Sequence, residues 1–446
     1  MRKDKDMTVG NPFKLIGAFS FSLIIGNLFQ QLYTFVDTIV IGKKIGTLGL
    51  AAVGGTEWLI FLVNGVIIGL VQGFCILLGN SFGKGNEQKF EIYFAGAKRI
   101  CFVLAIVLTV VFLLVSGVIL QLLGTKDEVY TMAREYTNIL FLGIPFLVFY
   151  QLFSGALRSR GNSKIPLLAM TISSLCNIVF DILFVNILEF GIAGAALATI
   201  LSECVVMLIC GYYYYKEKRK IDNYIEVYHD KLVTWNLIKM GTPMALQSVI
   251  TSIGGLIVVN RINQYDITFL AGYTAAVKLY GLLEIAASSF GMAVVAYVAQ
   301  NYGAGKLSRI REGVRASLIM GVIVALVCSG VMIFGGKDIL RLFIDISDTT
   351  EKTLWYGNRF LKILAIFFPL LYSLYILRAT LQGINNTIIP MVSSFAQLLM
   401  RLFCAIVLTR FIGSDGIFWG EVFAWIFADI ILFMHTSTQL KFVSGS

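Results

Sequence analysis

Four side chains could do chemistry in a sequence that is otherwise short of charge. Asp37 lies in "NLFQQLYTFVDTIVIG" (27–42), a run of the kind that crosses a bilayer. Asn177 and Asp181 stand four apart in "NIVFDILF", so they share one face of a helix. Thr199 follows in "GIAGAALATILSE", two to three turns into the next apolar run. Two carboxylates, an amide and a hydroxyl make a hard-oxygen set suited to Na⁺. The same carboxylates could instead share and release a proton. An acid at the centre of a membrane helix costs about 2.5–3.5 kcal/mol on insertion scales, so it is rarely there without a role or a partner. The bland alternative for Asp37 is an acid that snorkels outward or pairs with Lys43 or Lys44.

The elements that must position these groups are membrane helices. The chain has 446 residues, 57% hydrophobic and 14% charged, whereas soluble domains are about 45–50% apolar and about 25% charged. The run "ICFVLAIVLTVVFLLVSGVILQLLG" (100–124) carries no charge and exceeds the roughly 20 residues that span a bilayer. Twelve segments are expected, beginning near Leu15, Trp58, Ile100, Asn138, Ile165, Phe190, Met240, Ile267, Ala316, Phe360, Ile388 and Phe418. With both termini cytoplasmic, about 23 Lys and Arg fall inside, about 10 outside and 3 within segments. That is the positive-inside bias. The net charge of +10 is therefore topology and implies no nucleic-acid partner. The N-terminal "MRKDKD" precedes an apolar run too long for a signal peptide, so segment one is expected to stay in the membrane. The seven cysteines lie in or beside apolar runs without metal-type spacing and read as small buried hydrophobes.

The sequence repeats itself. "NSFGKGNEQKF" (80–90) matches "QNYGAGKLSRI" (300–310) at an offset of 220, and "LRSRGNSKIP" (157–166) matches "TLQGINNTIIP" (380–390) at 222 to 224. Pro145 and Pro369 keep the same register. Each half holds six segments and starts on the same side, a parallel repeat. The expected fold is an all-α polytopic membrane protein with two six-helix lobes, 1–215 and 240–446, joined by a cytoplasmic loop at 216–239. Transporters built from two such halves bind substrate between them and rock to alternate access.

The stretches "QQLYTFVDTIVIG", "NSFGKGN", "GALRSRGNSKIP" and "QNYGAGK" resemble the multidrug and toxic compound extrusion (MATE) transporters, in order and over nearly the whole chain. The resemblance implies an antiporter that expels organic, often cationic compounds in exchange for Na⁺ or H⁺. The DinF-type branch is similar in having an acid in segment one, an Asn-x-x-x-Asp in segment five and a Thr in segment six. Its ion or proton site thus carries over onto Asp37, Asn177, Asp181 and Thr199. The family commonly has a proline in segment one about fifteen residues before the acid. Here Ser22 stands in its place, while the second half keeps Pro243.

The repeat supplies an internal control. At its offsets Asp37 corresponds to Ile257, Asn177 to Arg401 and Asp181 to Ala405, so the site belongs to the first half. Segment eight adds Lys278 and Glu284, six apart and about 120° around the helix, as a substrate contact or as members of ion pairs within the lobe. Glu203, Glu421 and Asp429 are further intramembrane acids, and Arg401 is placed to neutralise one of them.

No phosphate-binding loop or nucleophile–base pair is visible, so the chain is not expected to be an enzyme or to hold a cofactor, and an ion gradient must supply the energy. The expected protein is a monomer in the cell's inner (plasma) membrane, with both termini cytoplasmic. It exports small organic molecules, cationic and aromatic in character, in exchange for H⁺ or Na⁺. The rival is a flippase for lipid-linked saccharides, which needs a cationic central cavity.

Overall fold

The computed structural model describes residues 6–122, 124–218, 230–342 and 350–442. Among the described residues eleven helices are long and apolar enough to cross a membrane, and a bent pair makes twelve when it is counted as one span. They are α1 (Pro12–Lys44), α2 (Thr47–Gly83), α3 (Glu87–Leu122), α4 (Asp127–Leu142 with Ile144–Ser159, 45° apart), α5 (Lys164–Ile187) and α6 (Gly191–Lys218). The second half contains α7 (Lys231–Ile262), α8 (Ile267–Gly303), α9 (Leu307–Leu340), α10 (Glu351–Gly383), α11 (Ile388–Ile412) and α12 (Asp415–Leu440). In lipid each backbone polar group must be satisfied within the protein, so apolar runs of this length resolve as helices.

The helices form two compact units. One is Met1–Asp6 with Ile25–Ala245, the other Met7–Ile24 with Leu246–Ser446. The boundaries therefore fall inside α1 and α7. The connection between halves lies at 219–230, because α6 reaches Lys218 and α7 begins at Lys231. Residues 219–229 of the expected 216–239 loop lie outside the described residues.

Backbone contact explains why the start of α7 belongs to the first unit. A Cβ on Gly73 would meet the Gly241 Cα at 2.5 Å, and one on Gly69 would meet the Met244 carbonyl oxygen at 2.6 Å. Gly69 and Gly73 on α2 thus face Gly241 and Ala245 on α7, a small-xxx-small pair that lets two membrane helices touch along their backbones.

The repeat seen in the sequence is kept in the turns. Gly161 (φ 77°) and Asn385 (φ 68°), 224 apart, are both left-handed. The next residues act alike: Asn162 Oδ1 accepts from Ile165 N at 3.3 Å, and Asn386 Oδ1 accepts from Ile389 N at 3.2 Å. A π-helical stretch closes α5 (Ile182–Ile187), and another lies near the end of α11 (Cys404–Leu408), at overlapping positions of the repeat. Such turns gather at functional sites, but here the turn belongs to the repeat, since it persists where Ala405 replaces Asp181.

With Ser22 in place of proline, α1 runs unbroken for 33 residues, and the Ser22 hydroxyl donates to Ala18 O at 3.1 Å. Pro243 sits within an equally continuous α7. The one sharp bend falls at Gly143, beside Pro145, in α4.

Candidate functional site

Three helices of the first unit supply the site. Asp37 is 7% exposed on α1, and Asn177 and Asp181 are fully buried on α5. Asp37 Oδ1, both polar atoms of Asn177 and both oxygens of Asp181 are buried without a hydrogen-bond partner. Leaving one such group unsatisfied costs about 1–3 kcal/mol. Five such atoms gather on these three residues among the described residues, which marks them as a candidate site. Four of them are oxygens, so the donor chemistry fits Na⁺ or H⁺.

Asp37 lies close enough to Asp181 for the two carboxyl groups to interact electrostatically. Thr199 on α6 lines the same cavity as Asp37. Its hydroxyl donates to Ala195 O at 3.2 Å, which leaves oxygen lone pairs free to accept or ligate. Next to these residues an apolar cluster containing Val40, Ile41, Tyr136, Val185, Ala195 and Ala196 fills the Lys44 end of the unit. It is the dry wall behind the carboxylates. Lys44 itself does not reach Asp37; its Nζ bonds Glu189 Oε1 at 2.7 Å in an exposed pair.

The cavity measures about 1150 Å³ including its open part. Gln30, Tyr33 and Asp37 line it from α1 at spacing i, i+3, i+7, a single face that the sequence reading overlooked. Ser173 and Ser174 line it from α5, just before Asn177. Tyr136, Tyr150 and Glu203 add to the polar part of the wall, together with Asn64, Gln151 and Ser202. The tyrosines had no spacing signal, and Glu203 was visible only as one more intramembrane acid. No Lys, Arg or His is among the lining residues.

At the opposite end of the unit a second polar group is held by ion pairs and hydrogen bonds. Glu91, 1% exposed, accepts from Arg160 at 3.1 Å, Tyr214 at 2.9 Å and Lys218 at 2.7 Å. Arg160 also meets Glu87 at 3.0 Å and stacks 4.1 Å from the Phe90 ring. These ion pairs tie the helix ends together, whereas the orphaned oxygens of Asp37, Asn177 and Asp181 have no such cation partner among the described residues.

The second unit treats its charges differently. Arg401 pairs with Glu421 at 2.8 Å, and Tyr375 donates to Glu284 at 2.9 Å. Asp429 accepts from Ser373. Lys278 is exposed and makes no ion pair among the described residues, so it and Glu284 do not neutralise each other.

Two repeated halves of six apolar helices, with a polar cavity inside one of them, define a multi-span membrane transporter. The MatE family profile matches residues 22–183 and 243–407, one stretch per half, and the chain belongs to that family. It is a transporter, not an enzyme. Among curated relatives, the probable multidrug resistance protein YoeA of Bacillus subtilis is 26% identical over 392 residues, 86% of this chain and 83% of its own. An FAD transporter of Shewanella oneidensis is 25% identical over 295 residues, 64% of each chain. Among solved structures, the outward-facing conformation of a multidrug resistance MATE family transporter superimposes with a TM-score of 0.91, at 21% identity and 98% coverage of both chains.

Proposed function

We propose that this chain is an ion-coupled antiporter of the plasma membrane, with both termini cytoplasmic, that exports organic cations in exchange for H⁺ or Na⁺. The observation that carries the reading is the pair Asp37 and Asp181, buried together with orphaned oxygens in one half of a transporter. Relatives are named for drugs and for FAD, so substrate charge is argued from the cavity wall, which has acids and tyrosines but no basic residue. That wall disfavours a flippase for anionic lipid-linked saccharides.

Coupling follows from linkage. Entry of Na⁺ or a proton at Asp37 and Asp181 removes the repulsion between two anions in a poorly hydrated setting. The lobe then prefers a conformation with less affinity for substrate, and substrate bound from inside favours the opposite one. By reciprocity each flow drives the other. One charge crossing 100 mV supplies about 2.3 kcal/mol.

The test is transport in inverted vesicles with either a Na⁺ or a pH gradient imposed alone and a panel of cationic dyes inside the assay. Accumulation driven by one gradient supports the reading. No response to either gradient with any cation overturns it.

A further inference from the structure

Two carboxylates are among the residues lining the cavity, Asp37 and Glu203, and Glu203 is the one that the ion site does not use. It lies four residues beyond Thr199 on α6, so both project from one face, and both line the cavity. Among the described residues Glu203 has neither a hydrogen bond nor an ion pair, although Tyr33, Tyr136 and Tyr150 all stand within its electrostatic reach. A half-buried carboxyl group with no internal partner is costly in a membrane protein, and such residues mark substrate or ion pathways.

Depth separates it from Asp181. Asn177 and Asp181 are fully buried and do not line the cavity, so only a bare or small ion can reach them. Glu203 lies on the open wall, where a molecule with rings can approach. Phenol faces attract cations, and three of them around one carboxylate suit a charged group attached to an aromatic body.

We propose that Glu203 is the counter-ion of the transported substrate: it holds the positive group of an aromatic cation at a place distinct from the Asp37–Asp181 ion site. The assignment rests on the exporter reading and names the residue that sets substrate charge. It divides labour between Asp37 with Asp181 for the coupling ion and Glu203 for the cargo.

Equilibrium binding to the full-length chain in detergent micelles tests this, with tetraphenylphosphonium as the cation and triphenylphosphine oxide as the uncharged probe. Glu203→Gln is expected to weaken tetraphenylphosphonium binding at least about tenfold, since a desolvated charge pair is lost, and to leave the oxide within about twofold. Glu203→Asp is expected to keep preference for the cation. Unchanged tetraphenylphosphonium affinity in Glu203→Gln, or no binding by the wild type, overturns the assignment. If Glu203→Gln loses both probes, Glu203→Asp decides: recovery of cation preference supports the role, and no recovery refutes it. The same preparations, reconstituted under an imposed gradient, keep the two readings apart. Glu203-dependent binding without gradient-driven export removes the antiport reading alone; export with Glu203-independent binding removes this assignment alone.

Discussion

Lys44 bonds Glu189 at 2.7 Å, and Asp37, seven residues earlier on the same helix, is left with a buried oxygen that has no partner. Lys44 is therefore spent on another acid, and no ion pair joins Lys43 to Asp37 among the described residues. This relationship takes away the Lys44 partner that a purely structural reading of Asp37 would give it.

A first prediction follows for Lys44. The hydrogen bond from Lys44, and then its charge, hold the Glu189 carboxyl below its usual value. A depressed acid lends stability that is present above its unfolded pKa, about 4.3, and is lost as pH falls through the folded value. Lys44→Gln should thus change the pH dependence of thermal stability only in acid, and export between pH 6 and 8 should stay within about twofold. A large export defect at neutral pH would mean that Lys44 serves Asp37 after all.

The inner network predicts a stability effect. Glu91→Ala leaves Arg160, 6% exposed, short of its buried partner, and breaking a buried pair typically costs about 3–5 kcal/mol. Thermal unfolding in detergent should show a marked drop, with Glu91→Gln intermediate. Wild-type stability in Glu91→Ala would show that Glu87 alone suffices for Arg160.

Helix contact gives a third. Gly73→Val places methyl groups where Gly241 backbone already sits, and overpacking of this kind costs about 1–3 kcal/mol. Gly54→Ala, where nothing lies within 4 Å of the added Cβ, should be neutral. Equal melting temperatures for the two variants would contradict the α2–α7 contact.

Topology is the fourth. On a cysteine-free background, Lys216→Cys should react only with permeant reagents and Lys126→Cys with impermeant ones added outside. External labelling at residue 216 would reverse the proposed orientation.

Much of this architecture could be read from the residues. Twelve spans were legible because each apolar run exceeds the bilayer, and the repeat because its turns need particular chemistry, as Gly161 and Asn385 show. Helix ends were less so: α2 starts at Thr47 rather than near Trp58, because helices continue through polar residues beyond the lipid. The break in α4 was foreshadowed by Pro145, yet Pro243 and Pro369 sit inside unbroken helices, so proline alone did not locate it. Asn177 and Asp181 were found by their spacing. Tyr136, Tyr150 and the openness of the wall at Glu203 come from different helices meeting, which no local pattern records.

Asp37 and Asp181 acting as one unit is the central claim, and a double-mutant cycle in proteoliposomes tests it most directly. Export of a cationic dye is measured under a saturating imposed gradient for wild type, Asp37→Asn, Asp181→Asn and the double variant. Each single change should lower gradient-driven export about 100-fold or more while much of the dye binding remains, and the double should be little worse than either, because residues acting in one step are strongly non-additive. Wild-type export by Asp37→Asn, or losses that simply multiply in the double variant, would contradict the account.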